Sequence, residues 1–190
     1  CYLLESASQT EVWGRYSFLG YNPTMEITCT DGHMKITETD DEGQPKVTEC
    51  QVSHPGEVLR KILNQYKSPV MEGMPPFTGG LVGYFSYDYI KYSEPKLKLE
   101  DKEQQDFRDM DLMLFDQVIA FDHYRQKVLL ITGVMADNLE NSYRQAERTL
   151  KEMADLIKTG DKMEFAPLKI QSEIQPQFPK EKYCGMVEKA

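Results

Sequence analysis

The strongest constraint in this chain is an alternation that turns back on itself. Ile27, Cys29, Met34 and Ile36 alternate with polar residues on either side of Asp31-Gly32. A period of two puts the apolar set on one face of a strand, and an Asp-Gly pair suits the positive-φ positions of a two-residue turn. Residues 25–38 are therefore expected to form an antiparallel hairpin with one face buried. A third strand is expected over 47–52, after the polar loop at Asp40, Asp41, Glu42 and Gly43.

The rest of the chain adds strands in pairs and helices set apart from them. Residues 55–66 should be helical: Pro55 suits a first turn, and Val58, Leu59, Ile62, Leu63 and Tyr66 fall on one face. A loop follows over 67–77, where Pro69, Pro75 and Pro76 sit. Strands are expected at 80–87, 112–122 and 127–132, with residues 123–126 joining the last two antiparallel. Residues 138–158 make the strongest helix, with Leu139, Tyr143, Ala146, Leu150, Met153 and Ile157 at helical spacing and Gly160 placed to cap it. Residues 162–180 read as strand and linker, and 180–190 as the first turns of a helix that is cut short. The sum is an α+β fold of layered antiparallel β-sheets flanked by helices. Neither βαβ alternation nor a G-x-G-x-x-G or P-loop motif is present, which argues against dinucleotide or ATP use.

Charge narrows the partners. With 22 basic against 31 acidic residues and no basic cluster, nucleic acid and anionic membrane surfaces are excluded. No apolar run approaches the roughly 20 residues of a membrane span; the longest, 127–134, is of strand length. Cys1, Cys29, Cys50 and Cys184 are widely spaced, so reduced thiols and a cytoplasmic setting are expected. A first residue of Cys rather than Met suggests a chain that begins inside a longer product.

The usual catalytic constellations are missing. His33, His54 and His123 are far apart in sequence and read as turn or surface residues. Asp106, Asp109, Asp111 and Asp116 lack the alternating ligands and central glycine of a calcium loop, and read as a solvated edge before a strand. Gly79-Gly80-x-x-Gly83 has no following Lys-Ser/Thr, so these glycines are expected to let a core strand pack closely. No catalytic residue and no metal ligand is assigned.

Two stretches exceed what packing alone asks for: Leu3-Leu4-Glu5-Ser6 followed by residues 13–23, and the run from Pro76 to Asp88. With Asp109 to Asp116, Phe121-Asp122-His123 and residues 178–183, they resemble, in order and along the whole chain, the amino-terminal region of anthranilate synthase component I in the chorismate-utilising family. The resemblance implies a subunit that converts chorismate and ammonia to anthranilate and pyruvate, with Mg²⁺ and a glutamine amidotransferase partner, and is inhibited by L-tryptophan. It implies further that Leu4, Glu5 and Ser6 line the tryptophan pocket, that Gly14, Arg15 and Tyr16 lie close by, and that the chorismate and Mg²⁺ ligands lie beyond Ala190. On this reading residues 1–175 are the regulatory region, 176–190 lead into the catalytic one, and the chain alone is inactive.

The chemistry of those residues is compatible. Glu5 can accept from an ammonium, while Arg15 or backbone N–H groups can pair a carboxylate. Ser6 leaves room for an indole, Gly14 allows close backbone approach, and Tyr16 can wall the site. Plainer readings stand beside these: Glu5 as surface charge, Ser6 as a turn hydroxyl, Arg15 as the partner of a nearby carboxylate, and Tyr16 with Phe18 as one face of a strand. Rival functions are aminodeoxychorismate synthase component I, a non-catalytic small-molecule module, and a scaffold that docks the amidotransferase.

Overall fold

A computed structural model describes residues 1–6, 14–39, 44–94, 96–97, 107–161 and 166–190. They fall into two compact units, Cys1–Lys158 and Thr159–Ala190.

The first unit is built on two antiparallel sheets. One has four strands in the order β1-β2-β8-β9, formed by Tyr2–Leu4, Tyr16–Gly20, Gln117–Asp122 and Lys127–Thr132. The other has five, in the order β5-β4-β3-β7-β6, formed by Pro45–Gln51, His33–Thr39, Met25–Thr30, Met110–Phe115 and Gly80–Phe85. This is the α+β arrangement of layered antiparallel sheets with helices that the sequence suggests.

The hairpin of β3 and β4 forms as its alternation requires. Met25, Ile27 and Cys29 point into the core, and Ile27 faces Ile36 across one ladder and Leu112 across the other. At the turn Asp31 and Gly32 adopt φ of 49° and 76°, the left-handed pair that matches strand twist. Helix α1, Pro55–Gln65, lays Leu59 and Ile62 on this sheet beside Met34, Met110 and Leu114. Each such buried side chain contributes about 1.5–3 kcal/mol relative to exposure. A side-chain carbon at Gly83 would collide with the Asp111 carbonyl on β7, so this glycine serves close strand packing as expected.

Several expectations are corrected. Residues 112–122 are two strands rather than one, because the chain passes from the five-stranded to the four-stranded sheet at Asp116. The apolar register of Leu112, Leu114, Val118 and Ala120 continues through the crossing, which hides it. The strand at 80–87 stops at Phe85, and Tyr87–Tyr92 coil into a 3-10 turn. Asp109 is no solvated edge. It is buried and accepts from Asp31 N–H (2.7 Å), the Tyr92 hydroxyl (2.7 Å) and Lys91 Nζ (2.8 Å). Burial alone would raise its carboxyl pKa; the Lys91, Tyr92 and Asp31 donors outweigh that and hold it below the usual value. Asp111 pairs with Arg108 at 2.7 Å, and Asp106 lies outside the described residues.

Helix α2, Leu139–Thr159, buries Ala146, Thr149 and Met153 along one stripe. In the second unit, helix α3, Lys180–Lys189, starts after Pro179 as expected. The strand expected within 162–180 is absent from the described residues 166–179. Pro167, Pro176 and Pro179 interrupt it, and each removes a backbone donor that a ladder would need.

Candidate functional site

All six residues proposed for the ligand pocket lie at strand ends or within two residues of them, and register decides which ends. Strand β1 pairs antiparallel with β2, Tyr2 facing Gly20 and Leu4 facing Phe18. The chain therefore leaves β1 through Glu5 and Ser6 at the same end of the sheet where Gly14 and Arg15 lead into Tyr16 and β2. At that end β8 closes with Asp122, which faces Tyr16. Leu4, Glu5, Ser6, Gly14, Arg15 and Tyr16 thus share one end of the four-stranded sheet, although Leu4 and Ser6 are separated from Gly14 by residues 7–13, Trp13 included, which are outside the described set.

Arg15 is the anchor of this end. Its Nε donates to Asp122 Oδ1 at 3.0 Å and a terminal nitrogen to Oδ2 at 2.7 Å, a two-pronged pairing of planar fork and carboxylate. Asp122 also accepts from Arg125 N–H at 3.0 Å, and Arg15 C=O accepts from His123 N–H at 2.9 Å. The Arg15 pairing, over the cost of burial, holds the Asp122 carboxyl at about 2. The guanidinium lies over the Tyr16 ring, 4.9 Å from its centroid, and the Tyr124 ring lies at 5.6 Å. Arg15 therefore faces a carboxylate of its own chain.

Tyr16 does present an aromatic surface. Its ring stacks on Phe18 at 5.9 Å, Phe18 meets Phe77 edge-on at 5.6 Å, and Phe77 in turn approaches Tyr2 at 6.2 Å. Gly14 has φ of 68°, a conformation that L side chains rarely take. Leu4 and Glu5 are exposed and Ser6 is half-buried. The apolar cleft of about 260 Å³ beside β1 is lined by Cys1, Tyr2, Val82, Tyr84, Met113 and other residues of β6 and β7, and not by Leu4, Glu5 or Ser6.

Sequence reasoning passed over two neighbours. Ser17 Oγ and His123 Nε2 lie 2.7 Å apart, one on buried β2 and one in the turn after β8. Asp122 and His123 stood together in the sequence, but their partners Arg15 and Ser17 are more than a hundred residues earlier, 107 and 106 respectively. Spacing alone could not have joined them. The arrangement is no hydrolytic triad, since Asp122 orients Arg15 and not His123. Among the described residues no three His, Cys, Asp or Glu side chains converge, and Asp109 and Asp111 pair with cationic side chains. No helix among them is long and apolar enough to cross a membrane.

Comparison with known proteins agrees with this architecture. The family model for chorismate binding enzymes matches residues 1–190. Anthranilate synthase component 1 of Acetivibrio thermocellus is 30% identical over 198 residues, covering 100% of this chain and 39% of that protein. The Acinetobacter calcoaceticus protein of the same name is 32% identical over 162 residues, covering 83% of this chain and 32% of its own length. The crystal structure of anthranilate synthase component I from Streptococcus pneumoniae TIGR4 superposes with a TM-score of 0.65 over 97% of this chain and 39% of that one; at 24% identity it speaks for the shared fold. This chain thus spans well under half the length of these relatives. Its match to the family model nonetheless runs from the first residue to the last, and the chain belongs to the chorismate binding enzymes.

Proposed function

We propose that this chain is the amino-terminal, regulatory portion of an anthranilate synthase component I, and that it contributes the L-tryptophan feedback pocket at the Leu4–Ser6 end of the four-stranded sheet. The observation that carries the reading is the β1–β2 register, which gathers Leu4, Glu5 and Ser6 with Gly14, Arg15 and Tyr16 at one sheet end. The relatives' names support the activity; the residues support the ligand.

In this proposal Glu5 accepts from the amino acid's ammonium and Ser6 borders the indole. Tyr16, packed against Phe18 and the Arg15 guanidinium, adds aromatic surface to this end of the sheet. Because the Arg15 fork faces Asp122, the ligand carboxylate falls to backbone N–H groups near Gly14, and Arg15 acts as a positioning residue for Tyr16. Inhibition then works as a coupling free energy: tryptophan favours whichever state of the whole enzyme it binds better.

The reaction itself, chorismate and glutamine-derived ammonia to anthranilate and pyruvate, is proposed for the whole polypeptide with its amidotransferase partner. Residues beyond this chain would hold chorismate and Mg²⁺, and the chain alone would be inactive. The test is anthranilate formation by the intact polypeptide against L-tryptophan concentration, with Ser6→Phe alongside. Wild type inhibited and Ser6→Phe at least about tenfold less sensitive, with kcat retained, is the expected pair. Equal sensitivity in both proteins would remove the pocket from this place, and absence of anthranilate formation would remove the activity.

A further inference from the structure

The residue at which the chain crosses between the two sheets is an acid with an unanswered oxygen. Asp116 is the single residue between β7 and β8, where the chain leaves one sheet for the other. The crossing is closely held. Asp116 C=O accepts from Gly133 N–H at 2.9 Å, just past β9, and Leu114 C=O accepts from Thr24 N–H at 2.9 Å, just ahead of β3. A side-chain carbon at Gly79 would stand 2.9 Å from the Phe115 carbonyl oxygen, so the chain before β6 also packs closely on it. Within this packing Asp116 Oδ1 is closed off from solvent and has no hydrogen-bond partner. Asp109 and Asp122 meet burial differently: each collects donors on both carboxylate oxygens.

The surroundings do little for a charge at this place. Burial pushes the Asp116 carboxyl above its ordinary value, and only a backbone bond within Asp116 itself acts the other way. At the end of α1, Tyr66 lies within its electrostatic reach: the Asp116 charge helps raise the Tyr66 hydroxyl, after burial and Glu38. From α2, Arg148 borders the same cleft as Asp116, and no bond joins it to Oδ1. Thr132 and Gly133, at the end of β9, carry no charge. Between about pH 4.5 and 8 Tyr66 stays neutral and Arg148 stays charged, so of these three Asp116 is the group that changes. Asp109 and Asp122, both held low by their donors, are ionised across that window.

We propose that Asp116 is a proton-operated joint between the two sheets: with its carboxyl neutral the crossing is held firmly, and with it ionised the crossing loosens. The sign follows from linkage. The unfolded chain releases this proton near pH ~3.9, while the folded chain keeps it to higher pH. Between those two values the folded state binds more protons than the unfolded one, so stability falls as pH rises. Below about pH 4 the carboxyl is neutral in both states and the cost is absent; above the folded value the cost is complete. The joint does not depend on the tryptophan reading, since Asp116 is no part of that site.

The experiment is hydrogen exchange on the intact polypeptide at about pH 4.5 and about pH 7.5, each rate corrected for its intrinsic pH dependence. Peptides holding Thr24 and Gly133, whose amides bond to the crossing, report the joint. Wild type should lose protection there at least about threefold on going to the higher pH. Asp116→Asn keeps the shape and removes the charge, and should hold the acid level of protection at both pH values. Asp116→Ser, smaller and also uncharged, should show the same flat response. The Val52 amide, bonded to Gly32 C=O at the far end of the five-stranded sheet, should respond alike in all three proteins. A wild type without the pH response, a response that persists in Asp116→Asn and Asp116→Ser, or one that spreads equally to Val52 would each overturn the proposal. Failure of both variants to fold would overturn it too, because Asp116 would then be a requirement of the fold.

Discussion

The five-stranded and four-stranded sheets share antiparallel pairing but rest on different forces. In the five-stranded sheet, a continuous core runs from Met25 and Ile27 through Met34, Met110 and Leu114 to Leu59 and Ile62 of α1. Its polar knot, Asp109 with Lys91, Tyr92 and the Asp31 turn, is closed on itself. Among the described residues of the four-stranded sheet, Val118, Ala120 and Ile131 form a smaller buried cluster, with Phe18, Phe77 and Leu129 packed around it, and Ile119 is also buried. There an ion pair, Arg15 with Asp122, and a run of ring contacts, Tyr16 stacked on Phe18 and Phe18 edge-on to Phe77, stand beside a smaller apolar cluster. A sheet with a thin core and a charged, aromatic end can answer a ligand at modest cost; a sheet with a deep core serves as its support.

That contrast can be broken in steps of decreasing size. Ile27→Ala should be the most damaging change, costing about 3–4 kcal/mol through lost burial and a cavity the surrounding strands cannot fill. Chemical denaturation would register it as loss of the whole first unit. Arg15→Ala strands the Asp122 carboxylate and should cost about 2–3 kcal/mol. Hydrogen exchange should show its effect concentrated in β1, β2 and β8, and a uniform effect across both sheets would dissolve the distinction drawn above. The acid arm should be smaller. The Asp122 carboxyl is lowered to about 2 when folded, against roughly 3.9 unfolded. Its contribution is therefore present above pH ~4 and lost as pH falls toward ~2. Stability measured against pH should show that loss in wild type and a blunted one in Arg15→Ala. Smallest of all, Arg144→Ala removes an exposed i,i+4 pair with Glu140 and should shift stability by about 0.3–0.5 kcal/mol at most.

What the sequence revealed follows from how local each signal is. The β3–β4 hairpin was legible because Asp31-Gly32 and its flanking alternation lie within one short span. Both long helices were legible from spacing. The crossing at Asp116 was not, because Leu112, Leu114, Val118 and Ala120 keep one phase through it and only an acidic residue on the apolar face betrays the break. The burial of Asp109 was hidden for a related reason: its partners lie 17 residues away at Tyr92 and 78 away at Asp31. Strand β1 escaped notice at three residues, too short to show a period. At the candidate site, residue types pointed to an ammonium acceptor and an aromatic wall at Glu5 and Tyr16. They pointed equally to Arg15 as a carboxylate clamp, and only the fold brings up Asp122 to occupy its fork.

The central claim is that the charged, aromatic end of the four-stranded sheet receives L-tryptophan. Calorimetric titration of L- and D-tryptophan into the intact polypeptide, wild type and Ser6→Phe, tests it most directly. The account predicts saturable binding of the L enantiomer to wild type, much weaker binding of the D form, and loss of the L signal in Ser6→Phe with an unchanged unfolding midpoint. Binding that ignores handedness or survives Ser6→Phe unchanged, or no binding at all, would contradict it.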